Sequence, residues 1–217
     1  MNSFTEENYL KAIYKLNELN TDSVSTNAIA EKLNTKAASV TDMLKKLAEK
    51  KLINYQKYQG VSLTAAGNKV AIKVIRKHRL WEFFLVNTLK FKWDEVHDMA
   101  EELEHINSEE LVLRLDNFLG NPKFDPHGDP IPDANGKFST QKNKLLANTL
   151  ANESVTMTGV VDHSAQFLQY LDKTGISLGD KIKIQEVNDY DKSLQISINN
   201  KKIYLSNEVA KNILVAS

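Results

Sequence analysis

STNAIAEKLNTKAASVTDMLKKLAEKK, residues 25–51, runs directly into LINYQKYQGVSLT, residues 52–64. The first segment reads as a short helix from Ser25 with Ile29, Ala30 and Leu33 facing inward, a break after Asn34, and a longer helix from Thr35. That longer helix spaces Val40, Leu44 and Leu47 along one buried face. The second segment holds two alternating β-rich runs divided at Gln59-Gly60, the pattern of a hairpin. Upstream, Thr5 with Glu6 and Glu7 marks another helix start, a hydroxyl and two acids over the orphan N–H groups of a first turn. Tyr9, Leu10, Ile13, Tyr14 and Leu16 carry that helix to Leu19.

Short helix, tight turn, longer helix and hairpin together are the layout of a winged helix-turn-helix. Small and polar residues (Lys36, Ala37, Ala38, Ser39, Thr41) open the third helix, as a helix entering a major groove needs. Lys45, Lys46 and Lys57 are placed to meet phosphates. Winged folds also serve as protein adaptors, so charge helps decide. The chain of 217 residues is neutral overall, but residues 1–92 hold 16 Lys and Arg against 8 Asp and Glu, and residues 93–217 hold 12 against 20. A half near +8 beside a half near −8 fits a nucleic-acid-binding module joined to something else.

Downstream, a long helix is expected from Ala65 to Lys90, with Gly67 near its start and His78 and Glu82 as i, i+4 partners. Next comes VHDMAEELEH, residues 96–105, where Val96, Met99, Ala100 and Leu103 form a core stripe. His97, Glu101, Glu104 and His105 share another arc, and no Lys or Arg occurs from Trp93 to Leu113. Clustered carboxylates repel unless a cation neutralises them, so a divalent metal is the expected partner. Oxygen and imidazole donors without sulfur point to Mn²⁺, Fe²⁺ or Zn²⁺. The chain has no cysteine, which removes disulfides, thiolate catalysis and sulfur-rich zinc sites. A third helix, SEELVLRLDNFLG, follows; helices of this kind need a partner to bury their apolar stripes, so a dimer is expected.

Residues 121–154 contain all four prolines and read as a loop-rich connector with little core. After Ser154 come four short strands, VTMTGVV, KIKIQEV, LQISI and KKIYL, and one helix, HSAQFLQYLDKTG, the pattern of a small SH3-like barrel.

Nearly the whole chain resembles the diphtheria-toxin-repressor family of metal-dependent transcriptional repressors. The resemblance is carried by TEENYLKAIYKL, RKHRL..E, VHD.A..LEH, PHG.PIP and DH..QFLQYLD, and is closest to manganese-responsive members. It implies a winged domain (1–72), a helical metal-binding and dimerisation domain (73–140) and an SH3-like domain (154–217), a mainly α fold with a small β part. It also implies a primary metal site from Asn8, His78, Glu101, Glu104 and His105, and an ancillary site from Glu82, His97, His127, His163 and Gln166. Asn8 stands where the family has Asp or Met. Asp125 stands where some relatives have Cys, and can still bind metal through oxygen. Iron-responsive members carry Cys at the position of Glu101 and manganese-responsive members Glu, which favours Mn²⁺.

The expectation is a cytoplasmic homodimer with no leader-like N-terminus and no long apolar run, taking metal and then palindromic operator DNA, with no small organic substrate. The competing class is a metallohydrolase or di-iron carboxylate enzyme. HExxH is missing, however, and Glu102–His105 is the one Glu-x-x-His where a di-iron bundle needs two.

Overall fold

Helix α1 (Phe4–Leu19) is sealed by a reciprocal cap: Ser3 Oγ accepts from the Glu6 N–H at 3.3 Å, and Glu6 Oε2 accepts from the Ser3 N–H at 3.0 Å. The cap is therefore Ser3, two residues ahead of the expected Thr5. The structure, a computed structural model, describes residues 2–19, 23–56 and 60–216. Ser25 caps α2 (Thr26–Lys32) through the Ala28 N–H, as its position before the helix foretells. Helix α3 (Ala37–Glu49) begins later than Thr35, because the Thr35 N–H is donated to Ala30 O, closing the turn. Strands β1 (Ile53–Gln56) and β2 (Gly60–Leu63) pair antiparallel from Ile53↔Leu63 to Gln56↔Gly60, and Val24 bridges to Val61. Leu10, Ile13, Ile29, Val40, Leu44 and Leu47 are fully buried in one cluster, so helix spacing and core agree.

Helix α4 (Ala65–Asn87) takes its cap from Thr64 Oγ1, which accepts from the Gly67 N–H. A β-carbon on Gly67 would lie 1.9 Å from Leu52 O, so only glycine lets the helix start against the end of α3. The helix stops short of the expected Lys90, which has a positive φ of 65°. Helix α5 (Val96–Leu103) also stops early, leaving Glu104 and His105 in the following turn. Helix α6 (Glu109–Phe118) is capped by Ser108.

Contacts divide the chain into two units: Met1–His78 with Glu101–Arg114 and Pro132–Lys137, and Arg79–Ala100 with Leu115–Ile131 and Phe138–Ser217. Helices α4, α5 and α6 contribute residues to both.

The second unit carries a six-stranded antiparallel sheet of order β3-β8-β4-β5-β6-β7. Its strands are β3 (Lys144–Leu145), β4 (Ser154–Val160), β5 (Lys181–Val187), β6 (Leu194–Ile198), β7 (Lys201–Leu205) and β8 (Ile213–Ala216). Helix α7 (Ala165–Thr174), capped by Ser164 and ended by Gly175 at φ 78°, lays Phe167, Leu168 and Leu171 into the core; α8 (Asn207–Ala210) precedes β8. The sequence pattern shows four of these strands. The other two escape it because β3 has two residues and β8, ILVA, is apolar throughout, so its alternating burial leaves no apolar–polar pattern in the sequence. The connector is also less bare than its prolines imply, since Asp125, His127, Ile131 and Leu146 are buried.

Candidate metal centres

Two clusters of acids and imidazoles form, each wholly inside one unit. In the first unit α1 brings Glu7 and Lys11 to Glu101, Glu104 and His105, with His78 from α4; no contact ties Asn8, also on α1, to them among the described residues. Lys11 Nζ donates to Glu101 Oε1 at 2.7 Å and to Glu104 Oε2 at 2.6 Å, and lies 3.3 Å from His78 Nδ1. His78 Nδ1 is itself 2.7 Å from Glu104 Oε2. His105 Nδ1 is 2.8 Å from Glu7 Oε2, and its ring stacks on Phe4. Glu104 and Lys11 are 0% and 5% exposed, so these are ion pairs out of water, where an unmatched charge would be costly.

This corrects the reading of the acidic stripe. A basic partner does exist: Lys11, delivered by α1 from 90 residues away. The four stripe residues also do not share one helical arc, because α5 ends at Leu103. Pairing of Glu104 and His105 with α1 favours the turn over another helical residue or two. The cluster nevertheless retains an unsatisfied donor for a cation. Glu104 Oε1 is buried without a hydrogen-bond partner, as is Asn8 Oδ1 on α1, and both are oxygen atoms suited to a hard divalent ion.

In the second unit Glu82, Asp125 and His127 place ligand atoms within 4.8 Å of one another, and all three are buried. The loop 124–131 that carries two of them is tightly held. Asp125 Oδ1 accepts from the His127 and Asp129 N–H groups, Phe124 bridges to Pro130, and the Val160 N–H donates to His127 O. Gly128, at φ 90°, is required there, because a β-carbon would lie 2.1 Å from Thr158 O. Arg79 clamps the loop, donating to Pro130 O at 2.6 Å and Asp129 Oδ2 at 2.8 Å, with Nε 3.6 Å from Asp125.

His127 Nε2 lies 2.8 Å from Trp93 O, a backbone acceptor that makes this nitrogen the donor. Nδ1 is thereby turned toward Glu82 Oε2 at 3.7 Å, too far for a hydrogen bond, and is left buried without a partner. An imidazole oriented by a carbonyl with its other nitrogen facing carboxylates is the arrangement a metal ligand takes. Electrostatics agree that the cluster attracts positive charge. Burial works against the His127 imidazolium, yet Glu82, Asp125 and the Trp93 carbonyl outweigh it and raise the group to about 9. Burial, then the charges of Asp129 and Glu82, push Asp125 up to about 7, against the pull of His127 and Arg79.

The other candidates fall around these. His97 is half exposed, with Nδ1 3.4 Å from Glu82 Oε1. His163 stacks on His127 with ring centroids 5.1 Å apart, while Gln166 is exposed on α7 with no hydrogen bond to the cluster among the described residues. His78 contacts the first cluster and Glu82 belongs to the second. Glu7, Lys11, Arg79 and Trp93 are participants that spacing alone does not reveal.

On α3, Lys36, Ala37, Ala38 and Ser39 are exposed, and Thr41 is half-buried with Oγ1 bonded to Ala37 O. Lys45 pairs with Asp42 at 3.2 Å and Lys46 with Glu6 at 3.1 Å. Lys57 lies outside the described residues. Among the described residues, no helix is long and apolar enough to cross a membrane.

Comparisons with known proteins match the chain in three consecutive segments. Residues 2–61 match the iron dependent repressor N-terminal DNA-binding domain, 64–133 its metal-binding and dimerisation domain, and 144–217 the FeoA domain. The iron-dependent repressor IdeR of Mycobacterium leprae is 37% identical over 128 residues, 59% of this chain. The match takes in 55% of that relative, about half of its length. The diphtheria toxin repressor of Corynebacterium diphtheriae is 28% identical over 222 residues, 97% of this chain and 96% of that one. A solved manganese-dependent transcriptional repressor in complex with manganese superposes with a TM-score of 0.86 at 36% identity, covering 98% of this chain and 99% of that one. These relatives are repressors, which stands against the metallohydrolase and di-iron reading. With likeness of sequence and of fold running from the first helix to the last strand, the chain belongs to the diphtheria-toxin-repressor family of metal-dependent transcriptional repressors.

Proposed function

We propose that this chain is a cytoplasmic, dimeric repressor that takes up a divalent ion and then binds a palindromic operator controlling metal-uptake genes. The observation that carries this is the pair of buried carboxylate–imidazole clusters in which Glu104 Oε1 and His127 Nδ1 are left without hydrogen-bond partners, in a chain with a helix-turn-helix. Exposed Leu111 and Phe118, seven residues apart on one face of α6, support a dimer, since exposed apolar side chains sharing a face favour cover.

The ligand assignment is Asn8, His78, Glu101, Glu104 and His105 at one site. At the other it is Glu82, His97, Asp125 and His127, with His163 and Gln166 beside them. The ion supplies positive charge that neutralises the clustered carboxylates. Glu101 and Glu104 take their share from α5 and its turn, Asn8 from α1, so binding ties the first helix to them. Arg79 and the Trp93 carbonyl hold Asp125 and His127 in register. Mn²⁺ is the favoured ion, ahead of Fe²⁺ or Zn²⁺, because every donor is oxygen or imidazole nitrogen and Glu101 is a hard ligand. Segments 1–72, 73–140 and 154–217 serve as the DNA-reading, metal-and-dimer and SH3-like parts. Lys36, Ala37, Ala38, Ser39 and Thr41 face bases; Lys45, Lys46 and Lys57 face phosphates. In the dimer the two α3 helices would sit about 34 Å apart, one turn of DNA.

The test is duplex binding by the metal-stripped chain with and without Mn²⁺, Fe²⁺ and Zn²⁺, on a palindromic pool selected in Mn²⁺. We expect tight, salt-sensitive binding only with metal, and with Mn²⁺ at least as effective as Fe²⁺. Equal binding in chelator would sink the metal switch; response to Fe²⁺ alone would sink the manganese assignment.

A further inference from the structure

We propose that the Lys11 ammonium is a resident competitor of the divalent ion at the Glu101–Glu104–His78 cluster, and that it sets the metal concentration at which the chain responds. The inference rests on the metal reading of that cluster and adds a residue to its regulation.

The geometry is that of a substitute cation. Nζ reaches Glu101 Oε1 at 2.7 Å, Glu104 Oε2 at 2.6 Å and His78 Nδ1 at 3.3 Å, the same three side chains a metal would draw on. Lys11 and Glu104 are 5% and 0% exposed, so water does little to screen either charge. An ammonium and a divalent ion cannot share these donor atoms, because like charges in contact repel and each needs the same lone pairs. The amine must therefore leave as the metal enters.

The nearer acid on α1 is turned elsewhere. Glu7 stands one turn earlier on α1, at the spacing of an ordinary i, i+4 ion pair, but its Oε2 is engaged with His105 Nδ1 at 2.8 Å. Helix α1 is thus tied to the 101–105 segment twice without metal, by Lys11 and by Glu7. Metal uptake exchanges one of these ties for a stronger one, where repelling carboxylates alone would leave α1 loose. The exchange has a cost: a site open to metal only when its lysine has left shows weaker apparent affinity, in proportion to how seldom it is open.

The experiment is calorimetric titration of the metal-stripped full chain with Mn²⁺, in wild type, Lys11→Met and Glu104→Gln. The binding event missing in Glu104→Gln identifies this cluster. In Lys11→Met that event should tighten on the order of tenfold, as a contacting like charge is removed. The metal-free variant should also unfold at lower temperature than wild type and recover most of the difference when Mn²⁺ is added. In wild type, acetic anhydride should label Lys11 faster once Mn²⁺ is bound, a measurement that stands even if Lys11→Met fails to fold. An Mn²⁺ event present but unmoved in Lys11→Met, or Lys11 labelling unchanged by Mn²⁺, overturns the competitor role and leaves the metal site standing. If Glu104→Gln loses no event, the metal reading of the cluster falls and this inference with it.

Discussion

Glu6 is 1% exposed, takes a hydrogen bond from Lys50 Nζ at 2.8 Å and one from the Ser3 N–H, and has Lys46 at 3.1 Å. Burial alone would raise its carboxyl, but Lys50, the Ser3 N–H and Lys46 together hold it at about 2, below the ordinary 4.5. A group depressed on folding contributes stability that is complete above its unfolded value and lost as pH falls toward its folded one. Glu6→Gln should therefore lower stability by about 2 kcal/mol near neutral pH, with the gap to wild type narrowing below pH 4.5 and closing near about pH 2. Thermal unfolding of both proteins from pH 7 down to pH 2 checks the size and direction. At this scale the clusters were half legible. Glu101, Glu104 and His105 stand out because ionisable groups crowd a segment free of Lys and Arg. Glu7 and Lys11 do not, because their spacing is that of an unremarkable surface pair on one helix. Only the folded chain shows each turned to a separate partner on the 101–105 segment.

At the scale of elements, α3 presents Lys36 and Ser39 at its exposed N-terminal end while Val40, Leu44 and Leu47 lock the opposite side. Replacing Lys36 or Ser39 with alanine should change which duplexes are preferred, whereas Lys45→Ala should weaken all duplexes alike and flatten the salt slope by about one counterion. Binding to a randomised pool at several salt concentrations separates the two effects; a uniform loss in all three variants would remove α3 from base reading. The helices were legible because their apolar period is sustained over many residues and their caps are marked, as Ser25, Ser108 and Ser164 show. Their ends were less so. Helix α5 stops where side chains from α1 take hold of the next two residues, and no local pattern announces that. Strands were legible where they alternate, as β6 does with its burial of every second residue, and invisible at two residues.

For the whole molecule, the presence of two clusters leads us to expect more than one divalent ion per chain. His163 stacks on His127, whose carbonyl in turn accepts from Val160 of β4, so the second cluster is built into the sheet. We expect His163→Ala to lose one ion and to make residues 135–155 easier to cleave, while operator binding falls only partly; metal analysis and limited proteolysis read both. Unchanged stoichiometry and unchanged cleavage would separate His163 from metal binding. The place of β8 between β3 and β4 has a consequence in time. During synthesis, β3 at 144–145 must wait for its partner at 214–215, about seventy residues later, several seconds at roughly 5–20 residues per second. Until then Leu146, in the turn after β3, and Met157 of β4, both buried in the finished core, lack the β8 residues that share that core. The apolar core that α1, α2, α3 and the hairpin build with Ala71 of α4 needs nothing so distant in sequence. A stalled ribosome thus carries a closed helix-turn-helix trailed by an open, sticky half-sheet, and slow elongation late in the message exposes this protein most.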